Sequence, residues 1–361
     1  MSSWISDSLA GHLALRAALA LGCLALLVTL GLTLQVLAMR ALASRRLSAQ
    51  RATVARWRPL LLGAASGDAV PRPAPPLARR ERVPLLLLWI NMQDGLRGRA
   101  HEGLNALAAQ MDLPALARRY AARRSGGRRL LGLRTLGHLG RAEDWGQLVA
   151  LLDDPRSQVS LAAARALLRV NAQRAAPLVL DQFLGRTDWP VPRLGTLLRE
   201  AGADAIGFAL AERLLESLPA QQVRLLPLAR VTEAPGRGSV IEALLTVATA
   251  PAVLSATLQQ VHGPATRARV ELLCSHPDWQ VRSYAALALG RLGDARERKL
   301  LISMLSDREW WVRYRAAQAL LELPGTDAVA VAALRVALTD RYARDMVSQV
   351  AAERGFAAAT P

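Results

Sequence analysis

The side chains that do covalent or metal chemistry are few and far apart in this sequence. Its five histidines (His12, His101, His138, His262, His276) fall one to a region, with no His-Glu-x-x-His pair among them. The two cysteines, Cys23 and Cys274, form no Cys-x-x-Cys, and no Gly-x-Ser-x-Gly elbow occurs. Lysine appears once, at Lys299, followed by Leu300, against 45 arginines. A phosphate loop ending in Gly-Lys-Ser/Thr, a kinase strand lysine or a Schiff-base site would have to use that one residue, and none fits. The "PGRGS" around Gly236 has no preceding strand pattern and no Lys-Ser/Thr after it, so it reads as a turn between helices. The chain is therefore expected to be no enzyme, with no catalytic residues, no metal ligands, no cofactor and no small-molecule substrate.

Other residue types do recur at fixed spacing. Asp153, Asp154, Asp278 and Asp307 stand just before apolar runs, where a carboxylate accepts the unpaired N–H groups of a helix start. Arg129, Arg224, Arg282, Arg313 and Arg344 share a second phase and are expected to stack into a ladder paired with neighbouring acids. Trp189, Trp279 and Trp310 share a third, each directly after Asp or Glu, in a chain where aromatic residues are only 4%. Trp311 follows Trp310, while Pro190 and Gln280 stand at the equivalent places. Exposed tryptophan and arginine are the residue types that anchor protein contacts. Trp279, Trp310, Trp311, Arg282, Arg313 and Tyr314 are accordingly the candidate partner-binding residues.

The elements that must position them follow from the period. Val281 and Val312 mark one repeat, and equivalent marks fall at Val253, Val223, Val191, Val159 and Arg128 backwards and at Ala343 forwards. The spacing of these eight marks is nearly constant, at about 31 residues, which is the length of one supersecondary unit of a solenoid. Val281, Tyr284, Ala285, Ala288, Leu289 and Leu292 trace one apolar helix face, with Asp278 as its N-cap and Gly293 as its C-terminal stop. Leu300, Leu301, Met304 and Leu305 supply the antiparallel partner helix.

"DWQVRSYAALALGRLGD" and "WWVRYRAAQALLEL" resemble bacterial HEAT-like repeats of the type named after phycobilisome lyases, marked by an Asp, a Val-Arg pair and an Ala-Ala-x-Ala-Leu-Gly helix. The likeness is good over 276–325, fair over 128–172 and weak over 188–262, where Pro192 and Leu254 replace the Arg and Pro190, Pro227 and Pro251 interrupt. It implies an all-α fold, a right-handed α-solenoid of HEAT-like helix pairs over 85–355, ending in a tail at 356–361. It does not imply one activity, since such repeats serve lyases, DNA-repair proteins and scaffolds.

Ahead of the solenoid, residues 17–39 pass without a charge, long enough for a transmembrane helix of roughly 35 Å against a hydrocarbon core of about 30 Å. The leader, residues 1–16, holds Asp7 and only Arg16, and the uncharged run is longer than a cleaved signal allows. The arginines after the span place the long remainder in the cytoplasm by the positive-inside rule, so the expected location is a bacterial inner membrane, crossed once. Residues 40–84 divide into a basic helix and a linker containing Pro71, Pro73, Pro75, Pro76 and Pro84. In the helix, Arg45, Arg46, Arg51, Arg56, Trp57 and Arg58 are candidates for contact with an anionic bilayer surface.

Charge separates the function classes. Of the net +17, residues 1–129 carry +13 and residues 130–361 only +4, so that larger part is nearly balanced and no nucleic-acid partner is expected. The leading expectation is a membrane-anchored scaffold that binds a protein partner. Bacterial proteins of similar layout are accessory parts of envelope or polysaccharide-export systems, and that resemblance implies such a pathway. The rivals are a lyase or isomerase acting on a bilin, implied by the family name alone, and a HEAT-type nucleic-acid binder.

Overall fold

The computed structural model describes residues 2–68, 74–124, 126–232, 237–246, 249–293 and 295–356, with the side chains of 2–25, 46, 203, 230–232, 237 and 295 outside the description. Arg46, Cys23, Pro71, Pro73, Gly236 and most of the 356–361 tail therefore lie outside the described side chains. The chain divides into two compact units, Met1–Ala117 and Arg118–Pro361.

The first unit is built on α1 (Ser2–Ser66), with α2 (Arg82–Gly95), α3 (Arg99–Gln110) and the start of α4 (Leu113–Ala121). α1 runs continuously through residues 16 and 39. From Leu26 to Leu42 its large apolar side chains are exposed, and Leu26–Ser66 is long and apolar enough to cross a membrane. Further along, Thr53, Trp57, Leu61 and Ala64 recur at helical spacing and are buried. This face of α1 packs on α2 and α3, whose buried side chains include Leu85, Trp89, Ile90, Leu104 and Leu107. A Cβ at Gly103 would lie 1.9 Å from the Ala64 carbonyl oxygen, so only glycine lets α3 cross α1 this closely.

One of the membrane-interface candidates is thus corrected. Trp57 is fully buried, because the helix face that carries it is a core face here. Arg56 lies 3.2 Å from the Glu81 carboxylate. Arg45, Arg51, Arg56 and Arg58 are exposed. The linker also ends sooner than expected, since α2 starts at Arg82 and takes Pro84 into its first turn.

The second unit continues with α5 (Gly126–Leu139), α6 (Trp145–Leu152), α7 (Ser157–Val170), α8 (Ala172–Gly185), α9 (Val191–Ala201), α10 (Ala203–Glu216), α11 (Pro219–Thr232) and α12 (Arg237–Leu244). It is completed by α13 (Pro251–Leu258), α14 (Arg267–Leu273), α15 (Trp279–Leu292), α16 (Arg298–Met304), α17 (Trp310–Glu322), α18 (Ala328–Ala337) and α19 (Arg341–Glu353). The eight repeat marks fall one to each odd-numbered helix from α5 to α19. Each of these odd helices packs on the next, forming one continuous row, while α8, α10 and α12 pack in a second. This is the layered arrangement of an α-solenoid, in which a helix pair buries its apolar face only against its neighbours.

The α15 unit shows how sequence sets the packing. The Asp278 carboxylate accepts from the backbone N–H of Gln280 and Val281 at 2.8 and 3.3 Å, which starts the helix. Gly293 ends it at φ 71°, in the left-handed conformation a side chain would oppose. Between them Ala285, Ala286 and Ala288 are buried, as are Ala316, Ala317 and Ala319 of α17. The small side chains let the two backbones approach closely.

Candidate interaction surface

The recurrent arginines divide into structural and surface groups. Arg282 is buried and spends its guanidinium inside the fold. Its Nε and one terminal nitrogen donate to the two oxygens of Asp307 at 2.7 and 2.9 Å, and the other donates to the His276 and Pro277 carbonyls. Burial pushes the Asp307 carboxyl up, but the Arg282 hydrogen bonds and the Glu309 N–H hold it below the usual carboxylate range. Arg282 is therefore corrected from a partner-binding candidate to a strut between consecutive repeats. Arg129 makes the same reach into the next repeat, to Asp154 at 2.7 Å. In the weakly matching region the pattern changes: Arg224 donates to the Leu184 and Arg186 carbonyls and lies 4.3 Å over the Phe183 ring. Arg344 is exposed.

Carboxylates at the repeat phase accordingly do two jobs. Asp278 caps α15. Asp154 and Asp307 each accept one backbone N–H from just downstream and hold an arginine as well.

The tryptophans separate similarly. Trp189 is buried in the turn before α9, so it does not share an open edge with the others. Trp279 and Trp310 open α15 and α17 with 36% and 40% of their surface exposed, and Trp311 is 50% exposed. Trp310 stacks on Tyr314 one turn later, with ring centroids 5.1 Å apart and planes 10° from parallel. Trp311 meets both edge-on, at 4.8 and 6.1 Å. Such pairs contribute about 0.5–1.5 kcal/mol each beyond area burial, so the cluster is ordered before any partner arrives. The Tyr314 hydroxyl donates to Glu353 of α19 at 2.8 Å, and that bond raises its pKa. Arg313 is half-buried, donates to the Asp307 and Arg308 carbonyls, and sits 6.0 Å from the exposed Tyr342 ring.

Tyr342 is the residue the sequence reading missed. It lies one repeat after Trp311, at the same repeat position, and is 70% exposed. The mark at Ala343 already gave this register, so the forward step would have found it. An open aromatic face thus runs over α15, α17 and α19, three consecutive members of the packed row.

Residues 266–353, which carry that face, match the family of HEAT repeats. No curated protein matches the chain. Among solved structures, the crystal structure of an engineered protein aligns over 75% of this chain and 85% of its own, at 18% identity and a TM-score of 0.33. The described residues form helices and no strand, and HEAT repeats are shown over 266–353.

Proposed function

We propose that the protein is a non-enzymatic, single-pass scaffold of the bacterial inner membrane, with the apolar half of α1 in the bilayer and the right-handed repeat solenoid in the cytoplasm. There it holds a protein partner against the aromatic face of α15, α17 and α19. The observation that carries the reading is the ordered yet exposed Trp310–Trp311–Tyr314 cluster, with Tyr342 and Trp279 on the flanking repeats. Large rigid aromatics held open to solvent contribute contact area at small conformational cost, which is how interface anchors work. The exposed leucines of α1 support the anchor, since water solvates such a surface poorly and lipid accepts it. Exposed Arg45, Arg51 and Arg58 follow on the side the positive-inside rule assigns to the cytoplasm.

A photo-crosslinking amino acid at position 311 or 342, in cells carrying the full chain, tests this reading. The expected result is one discrete protein adduct in the membrane fraction from both positions, absent from Glu216 on the second row and lost on Trp310→Ala. No adduct at 311 and 342, or the same adduct from Glu216, would overturn it.

A further inference from the structure

A second surface lies near the start of the repeat array, where α5, α7 and α9 pack side by side and border an open groove of about 810 Å³. Leu161 and Leu197 line its floor, and both are largely buried. Each of the three helices gives the groove one arginine: Arg134 from α5, Arg165 from α7 and Arg193 from α9. The carboxylate in the lining is Glu200, and it is taken up by Arg165 at 2.7 Å, tying α7 to α9. Arg193 is exposed, with no carboxylate within hydrogen-bonding distance among the described residues. The groove therefore has an apolar floor beneath a rim of net positive charge.

We infer that this groove is a binding site for an acidic peptide segment carrying apolar side chains, separate from the aromatic face and recognised by different chemistry. Arginines from three successive helices line the groove, and the planar donors of a guanidinium suit carboxylates spaced along a chain. Repeat arrays bind extended ligands on such row surfaces, one contact per repeat. Crossing from α5 to α9 covers roughly 20 Å at about 10 Å per helix, the length of about six extended residues. Glu200 then restrains affinity, because it neutralises Arg165 and repels an incoming carboxylate.

The test uses the full chain in detergent micelles and a fluorescein-labelled octapeptide of alternating Glu and Leu, read by anisotropy at low salt. Its controls are the same peptide with Gln for Glu, with Ala for Leu, and an eight-nucleotide single-stranded DNA. The Glu-Leu peptide is expected to bind about tenfold more tightly than either peptide control and to weaken as salt is added. Arg134→Gln with Arg193→Gln lowers that affinity about tenfold, while Glu200→Gln raises it severalfold, a gain that misfolding cannot produce. Trp311→Ala leaves it unchanged, so a failed aromatic face and a failed groove are told apart. Equal binding of the Gln peptide, equal or tighter binding of the DNA, or no gain from Glu200→Gln would overturn the assignment.

Discussion

Arg282 and Asp307 face each other across the boundary between α15 and α17, joined by two parallel hydrogen bonds of 2.7 and 2.9 Å. Both are largely buried, and Arg282 also holds the carbonyls of the turn before its own helix. Arg313, one repeat later, holds the two equivalent carbonyls, so the device recurs while its acidic half does not. Removing one partner of such a pair leaves the other charge buried without compensation, at a cost of about 3–5 kcal/mol. Arg282→Ala is expected to lower the thermal midpoint of the detergent-solubilised chain clearly, and an unchanged melt would contradict the strut.

The same pair sets an acid limit. Asp307 and Asp154 titrate below their ordinary range in the folded chain, Asp154 chiefly through its hydrogen bond from Arg156. A depressed folded pKa adds stability that is complete above the unfolded value, near 4, and fades as pH falls through the folded one. Unfolding followed from pH 7 down to pH 3 should show a loss beginning near pH 4. In Asp307→Asn stability is lower at pH 7 and the slope below pH 4 is shallower; parallel curves would contradict this.

Gly290 of α15 lies against Ala319 of α17, and a Cβ there would come within 2.8 Å of the Ala319 Cα and Cβ. Gly137 of α5 stands in the same relation to Ala166 of α7. Alanine is the better helix former by about 1 kcal/mol, but overpacking costs about 1–3 kcal/mol. Gly290→Ala should therefore destabilise by urea titration, and a gain in stability would show that the contact has room to yield.

Trp57 makes the opposite prediction from the one its arginine-rich neighbourhood invites. Trp57→Ala opens a cavity in the core of α1, α2 and α3 at a cost of about 3–5 kcal/mol. Trp311→Ala, half exposed, gives up its two edge-on ring contacts and should cost less, about 1–3 kcal/mol. If the two variants melt alike, the burial described for Trp57 is wrong.

These contrasts show what was legible in the residues alone. The eight evenly spaced marks placed every odd helix from α5 to α19, and Asp278 and Gly293 bound α15 as their chemistry requires. Pro190 and Pro251, which look like interruptions, stand at the starts of α9 and α13, where a missing N–H costs nothing. Periodicity could not say which neighbour a face meets. The spacing of Val54, Trp57 and Leu61 is the same for a helix on lipid as for one on protein, and only α2 and α3 settled it. Asp307 likewise carries the signature of a cap, while its main partner, Arg282, comes from the preceding repeat. The groove between α5, α7 and α9 uses one arginine per helix, a pattern invisible until those helices lie side by side.

The unbroken course of α1 has a mechanical consequence. One helix holds the exposed leucines and, past Met39, the Trp57 that is locked into the first unit's core. Between Met39 and Ala55, the carbonyl that Pro59 leaves without a donor, run roughly 24 Å of continuous helix. Whatever grips the apolar end therefore holds the first unit on a stiff mast of set height, and a tilt or twist applied at one end is delivered at the other without a swivel.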